Sequence, residues 1–583
     1  MSAVEKLITD NLDIWSSAIL KKASAGRGGS GAVNLYGISK LRGLIYDLAM
    51  RGLLVPQNIE DEPATSLLTS IEEQKRTLVG SKKKGPPSLK LPTAEQAPYG
   101  LPDNWVWSRL GDLSNNIHYG YTAPALPESS GTRLLRITDI QNDKVNWPTV
   151  PGCEISAEKS KKYLLENDDI LIARTGGTIG KSYLVEGIKV SAVFASYLIR
   201  VTRISGMYSA YIKTFLGSGV YWRQLYENAS GTGQPNVNAT ALKSLVVPVA
   251  PLAEQHRIVA KVDELMTFCD QLEQQQESSI SAHETLVETL LAALTDAADK
   301  GEFNQAWERI ADNFDTLFTT EHSVESLKVT VLQLAVVGKL TPQFATEEPA
   351  SLLLESISEK REKLVREKKV KKKTLSPIDV VDAPTLPSGW SWTTLSHLGQ
   401  FTGGKTPSKN NDSYWKGSIP WVTPKDMKVT AITGAIDGVT QAAIDDGLGL
   451  VQPGALLFVA RSGILRRAFP VAIAKVECTV NQDLKVLTPF DATLSDYLLL
   501  MMKGNEEFIV QNLTKVGTTV ESLRFEDFSR HSFMIPPIEE QRRILEKVEA
   551  LSSVCEKLKV EIRQSQETKI QLANALVEVA IPS

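Results

Sequence analysis

The chain has 583 residues, too many for one hydrophobic core, and its 42% hydrophobic and 23% charged composition is that of an ordinary globular protein of several domains. A formal net charge of −4 excludes a protein that coats nucleic acid by bulk electrostatics, but not one that reads it through local basic patches. No apolar run approaches the ~18 residues of a membrane span, the opening MSAVEKLITDNLDIW is too charged for a signal peptide, and the four cysteines include no C-x-x-C pair. A cytoplasmic location without membrane association is expected. The six histidines are scattered, so no metal site is expected either.

Residues 1–98 form a helical region. LYGISKLRGLIYDLAMRGLLVPQ, ending at Gln57, predicts a helix stopped by Gly52 with Pro56 soon after, and EPATSLLTSIEEQKRTLVGSKKK, from Glu62, predicts a second with proline in its first turn. LPDNWVWSRLGDL then opens a strand-rich stretch over 99–250, in which DDILIARTGG is an apolar strand and SGTGQPNVN a Gly-rich loop. From Pro251, PLAEQHRIVAKVDELMTFCDQLE predicts a long helix with an apolar seam at Ile258, Val262, Leu265, Cys269 and Leu272 that continues through Leu286 and Leu290. A helical pair follows, and the central region extends over 251–385.

Everything then recurs. The helical stop reappears as LQLAVVGKLTPQ, the strand start as LPSGWSWTTLSHL, a second strand-rich stretch occupies 386–536, and PPIEEQRRILEKVEALSSVCEKLK begins a last helical region over 537–583. Its seam runs through Ile544, Val548, Leu551, Cys555 and Leu558, and then Ile562, Leu572, Leu576 and Val579. The offset between copies is 286 residues, drifting by one within the strand-rich stretches, where GALLFVARSG answers DDILIARTGG and sets Arg461 beside Arg174. The expected fold is therefore α+β: two mixed strand-rich domains separated by long antiparallel helices that zip into a coiled coil, related by an internal pseudo-twofold, with the chain ends close together.

Reading base edges needs forked donors and amides, since arginine suits guanine and Asn or Gln suits adenine. Arg174 and Arg461 follow apolar strands, where each either leaves the sheet toward DNA or caps its strand in an ion pair. Thr175, Gly176 and Lys181 in the first domain, and Arg466 and Arg467 in the second, lie in the turns that follow. Gln234 and Asn236 are amide readers in a Gly-rich loop. Gly403, Gly404, Lys405 and Thr406 either let the backbone approach phosphates or form a plain hairpin turn. Tyr119, Tyr121, Tyr414 and Trp415 suit rim packing more than base stacking. TGGTIGKS at Thr175 nearly spells a phosphate loop, but Thr175 stands where the first glycine is required and the next residues read as a strand, so no ATPase is expected. Nor is there a carboxylate cluster for DNA cleavage.

The twin PLAEQHRI and PPIEEQRRI helices, the W-x-W strand starts, FTGGKTPSKNNDSYWKGSIPWVTPKDM and SGTGQPNVN together resemble the specificity subunits of type I restriction-modification systems, over essentially the whole chain. The resemblance implies a non-catalytic subunit. Its two target-recognition domains would each read half of a bipartite double-stranded DNA target, and its helices would dock two methylation and two restriction subunits. S-adenosylmethionine, ATP and Mg would then be bound by those partners. At one landmark the first domain has HYGYTAPA where the second has TGGKTPS. The competing reading is a duplicated coiled-coil scaffold that binds proteins rather than DNA.

Overall fold

A computed structural model describes residues 3–21, 33–79, 91–126, 131–229, 235–372, 374, 375, 377, 378, 385–517 and 520–581. The chain divides into two units, Met1–Ser279 with Gln564–Ser583, and Ile280–Arg563.

In the first unit the helix Tyr36–Met50 buries Ile38, Leu41, Leu44, Ile45 and Leu48, the spacing of one helical face. Gly52 ends it at φ +69°, with its own N–H on the Ala49 carbonyl (3.3 Å) and the Leu53 N–H on the Leu48 carbonyl (3.0 Å). Only a left-handed residue closes both bonds. The next helix, Ala64–Val79, precedes the strand-rich region. There, the strand Val106–Arg109 pairs antiparallel with Val246–Val249, and the helix Leu252–Asp296 begins directly afterwards.

A buried carboxylate fastens these pieces together. Glu254, in the first turn of that helix, accepts the Trp105 indole N–H on Oε2 (2.9 Å) and the Gln57 amide on Oε1 (2.6 Å), while Gln57 also donates to the Gly52 carbonyl (3.1 Å). Burial pushes the Glu254 carboxyl up from its ordinary range, and the bonds from Trp105 and Gln57 oppose that shift. Beside it, Gln255 donates to the Ala250 carbonyl (2.9 Å), and Arg257 pairs with Asp61 (2.5 Å).

The second unit contains the same set 286 residues on, the tryptophan 285. Glu540 accepts from Trp390 Nε1 (2.8 Å) and Gln343 Nε2 (2.9 Å), Gln343 donates to the Gly338 carbonyl (2.9 Å), Gln541 donates to the Pro536 carbonyl (2.9 Å), and Arg543 pairs with Glu347. Gly338 stops the helix Glu321–Val336 at φ +74°. Ser391–Thr394 pairs with Ser532–Ile535 before the helix Ile538–Ala580 begins.

The seam residues of the first two heptads are covered within their own units. Ile258, Val262, Leu265 and Cys269 are buried, with Arg42 of the helix Tyr36–Met50 reaching Asp270 (2.6 Å) and Glu273 (2.7 Å), and Leu272 half-buried. In the second unit Ile544, Val548 and Cys555 are buried and Leu551 and Leu558 half-buried, with Lys328 on Glu556 (2.9 Å) and Lys559 on Glu325 (2.8 Å). Burial pushes the Cys269 thiol up to about 11, so it stays protonated as a small apolar group.

Beyond these residues the heptad expectation holds only in part, for Leu290 and Ile562 pack half-buried against one cluster in the second unit and Leu576 is half-buried in the first. Leu286 is 50% exposed, Leu572 45% and Val579 82%, whereas Val287 and Ala573 are 2% and 0% exposed. From Cys269 to Val287, and from Cys555 to Ala573, is 18 residues. That is five turns of a straight helix at ~3.6 residues per turn, where strict heptads at 3.5 drift off the buried face.

The ends of the long helices pack as follows. In the first unit, Gln566 accepts the Ile19 N–H (3.2 Å) and Asn574 accepts the Tyr36 hydroxyl (2.8 Å), so the last helix returns to the N-terminal helices as expected. In the second unit, Val287, Leu291 and Leu294 share a buried cluster with Cys555, Ile310, Val324 and Leu334.

A methyl group at Gly52 would stand 2.6 Å from Pro102 and one at Gly338 2.5 Å from Pro387, both at positive φ. Gly52→Ala and Gly338→Ala should each destabilise the protein by about 1–3 kcal/mol, read as a lowered urea midpoint; a wild-type midpoint would contradict this packing.

Candidate nucleic-acid interface

In the first unit the strand Ile170–Ala173 lies between Ser182–Leu184 and Leu198–Arg203, and the latter also pairs with Ser114–Tyr119, all antiparallel. Ala173 is opposite Leu198 and Tyr119 opposite Ile199, so the residues just beyond these positions share one end of the sheet. A second sheet sets Thr132–Leu135 between Ala192–Phe194 (parallel) and Gly152–Cys153 (antiparallel).

Arg174 sits at that end of the sheet. Its N–H reaches the Tyr197 carbonyl (3.1 Å) and its carbonyl accepts from the Val237 N–H (2.9 Å). The side chain is half-buried, with Nε donating to Asn236 Oδ1 (3.3 Å) and the guanidinium 4.7 Å over the Tyr119 ring. Tyr119 is fixed in turn, its hydroxyl accepting the Ala239 N–H (3.1 Å). Thr175 bridges to Asn236, Gly176 turns at φ +70°, and the exposed Lys181 closes the hairpin through its carbonyl on the Ala173 N–H (2.8 Å). Lys181 also lines a cavity of about 520 Å³ with Asp143, Lys213 and Trp222. The structure thus gathers Arg174, Thr175, Gly176, Lys181 and Asn236; Gln234 lies outside the described residues. Tyr197, 63% exposed beside Arg174, was not singled out from sequence. Only the long-range pairing of its carbonyl with Arg174 reveals it.

Arg200, on the same sheet, has a different role. It is 8% exposed and donates to His118 Nε2 (3.0 Å), the Lys162 carbonyl (3.0 Å) and Asp169 (3.2 Å). Burial, reinforced by Arg200, pushes His118 down, which suits a neutral ring accepting from the guanidinium.

The second unit repeats this order of neighbours: Val471–Ala474, Leu456–Val459, Leu484–Pro489 and Gly399–Gly403, with Ala431–Ile432 added in parallel to Val471–Ala474. Hydrogen bonds settle the mismatched landmark. Gly404 and Lys405 donate to the carbonyls of Leu484 (3.4 Å) and Val480 (3.0 Å), as Gly120 and Tyr121 do to Leu198 (3.2 Å) and Phe194 (2.8 Å). HYGYT and TGGKT are therefore the same loop, with Tyr119 at the place of Gly403 and Tyr121 at that of Lys405. A side chain at Gly120 would overlap the carbonyls of Phe194 and Ala195, and one at Gly404 those of Val480 and Asn481, so both centres must be glycine.

The same register corrects the match between the arginines. Arg461 bridges to Ser522 as Thr175 does to Asn236, and the Ala460 carbonyl accepts from the Leu523 N–H (2.8 Å) as that of Arg174 does from Val237. Arg461 thus occupies the place of Thr175, and strand alternation turns it to the opposite face from Arg174. Arg461 and Arg467 are exposed. Arg466, although its side chain is 78% exposed, donates through Nε (2.8 Å) and Nη2 (2.6 Å) to Glu521 and holds that carboxyl below its ordinary range. Lys405 is exposed, and Thr406 donates to Gln482. Tyr414 and Trp415 belong to the rim: the tyrosine hydroxyl donates to Asp446 (2.5 Å) and the indole N–H to the Ser408 carbonyl (3.0 Å).

TGGTIGKS forms only a short 3₁₀ turn, Gly176–Thr178, followed by the strand Ser182–Leu184, so no helix N-terminus faces a phosphate there. Among the described residues no helix is long and apolar enough to cross a membrane.

Duplicated strand-rich domains, each with a cationic sheet end and each followed by a long helix, have a counterpart among known proteins. The family model for the type I restriction modification DNA specificity domain matches residues 102–282 and again 387–566. The chain belongs to the family of type I restriction enzyme specificity subunits, which are non-catalytic. It is 32% identical to the EcoAI specificity subunit of Escherichia coli, over 99% of this chain and 100% of that one. The EcoEI specificity subunit of the same organism is also 32% identical, over the same shares. The crystal structure of the HsdS subunit from Thermoanaerobacter tengcongensis aligns with 83% of this chain and 98% of that one at 18% identity, with a TM-score of 0.40.

Gly120→Ala and Gly404→Ala should each displace their loop and weaken binding of the cognate duplex about tenfold, or about 1.4 kcal/mol, with helix content unchanged by circular dichroism. Undiminished binding would show that the close backbone approach does not set the loop's path.

Proposed function

We propose that this chain reads the two halves of a split double-stranded DNA site, one with each strand-rich domain, and sets the distance between them with its long helices. The observation that carries this reading is the twice-built sheet end: Arg174, Thr175, Gly176, Lys181 and Asn236 in one domain, and Gly403, Gly404, Lys405, Thr406, Arg461 and Arg467 in the other, in a chain of the specificity family. Arg466 would act from its ion pair with Glu521. Residues 99–250 and 386–536 are the target-recognition domains, and 1–98, 251–385 and 537–583 the helical regions that space and dock.

The long helices pair antiparallel about an internal pseudo-twofold in this proposal. In support, the first unit holds the start of the central helix and the end of the last helix, and the second unit holds the reverse. Two methylation and two restriction subunits dock on the helical regions and bind S-adenosylmethionine, ATP and Mg, in the cytoplasm. A scaffold that binds only proteins would show no preference between cognate and random duplexes at any salt concentration, which a salt-dependent titration decides.

Seven residues inserted between Gln276 and His283 of the central helix lengthen it by ~10 Å, about three base pairs. Genome-wide mapping of methylated positions should then report a changed gap between unchanged half-sites; changed half-site sequences would refute the ruler.

A further inference from the structure

We infer that Arg174 is a preset guanine reader and that it serves the first half-site alone, an inference that rests on the proposed reading of split DNA. Three constraints hold the side chain. Its backbone is pinned on both sides, by Tyr197 and Val237. Its guanidinium lies 4.7 Å over the Tyr119 ring, and its Nε is bonded to Asn236 Oδ1 (3.3 Å). Tyr119 is itself anchored on the Ala239 N–H (3.1 Å). Nε is the one guanidinium nitrogen that does not belong to the outer fork. Among the described residues, Nη1 and Nη2 of Arg174 and the Asn236 amide nitrogen have no hydrogen-bond partner.

What remains is a planar pair of donors at the end of a sheet, fixed in direction before any ligand arrives. Two parallel N–H groups match two neighbouring acceptors. On a duplex those are O6 and N7 of guanine in the major groove, or two oxygens of one phosphate. Fixing the fork's direction lowers the entropy lost on contact, which serves selection of one base more than attachment to a backbone of repeating phosphates.

The second domain keeps the backbone pinning, through the Asp483 carbonyl and the Leu523 N–H on Ala460, but lacks every side chain of this frame. Gly403 stands at the place of Tyr119, Ala460 at that of Arg174 and Ser522 at that of Asn236. One fold therefore reads its two half-sites by different chemistry.

The test uses the chain assembled with its methylation subunits and a duplex carrying the target found by mapping methylated positions. Each guanine of the first half-site is replaced in turn by 7-deazaguanine, which removes the N7 acceptor. Wild type should lose about tenfold or more in affinity at one guanine, and R174Q should bind that duplex and the unmodified one equally. R174K, which keeps a point charge without the fork, should also show no penalty at that position. The inference is overturned if no guanine of the first half-site is sensitive, or if the penalty persists in both variants. It is also overturned if R174Q weakens all duplexes alike with a shallower salt dependence, the mark of a phosphate contact. Failure of the underlying reading looks different: wild type would then bind random and target duplexes equally.

Discussion

A carboxylate buried in the first turn of each long helix is the interaction on which the rest of the architecture depends. Glu254 and Glu540 each collect an indole N–H from the start of the strand-rich domain and an amide from the loop after a glycine-stopped helix. A carboxyl group so deep must have its hydrogen-bonding atoms partnered, because an orphaned one costs more than a bond contributes. Three segments far apart in sequence are thereby held to one geometry, and none can move without leaving a donor or an acceptor unsatisfied. The neighbouring Arg257–Asp61 and Arg543–Glu347 pairs repeat the fastening one turn further along.

With the domain fixed to its helix, the far end of the sheet is free to vary. The loop through Gly120 and the loop through Gly404 follow one path because in both the backbone passes against carbonyls that exclude a side chain. On either side of that glycine the chemistry changes completely, Tyr119 and Tyr121 in one domain against Gly403 and Lys405 in the other. Shared backbone hydrogen bonds with unlike side chains would suit the proposed reading of two different half-sites, since position comes from the main chain and selectivity from what projects beyond it.

The long helices show how a repeat limits what an apolar pattern means. Their first two heptads are packed inside their own units, by Arg42 and its neighbours in one and by the helix Glu321–Val336 in the other. After a polar stretch the buried face resumes at Val287 and Ala573, one position later than heptads dictate. Gln566, within that polar stretch, accepts the Ile19 N–H, and Asn574, next to Ala573, accepts the Tyr36 hydroxyl. An interruption of the apolar pattern was thus a site of specific hydrogen bonding.

Much was determined by the sequence alone. The duplication, the glycine stops, the strand starts at the W-x-W pairs, the two long helices and the absence of a phosphate loop all follow from local chemistry and spacing, and so were legible without coordinates. What only the tertiary structure decided depends on pairing between distant segments. Strand register moved Arg461 to the place of Thr175, matched HYGYT to TGGKT, and brought Tyr119, Tyr197 and Asn236 around Arg174. A shift of one residue in a strand turns every side chain to the other face, and string alignment at a drifting offset cannot resolve that single residue, whereas a hydrogen-bonded ladder does.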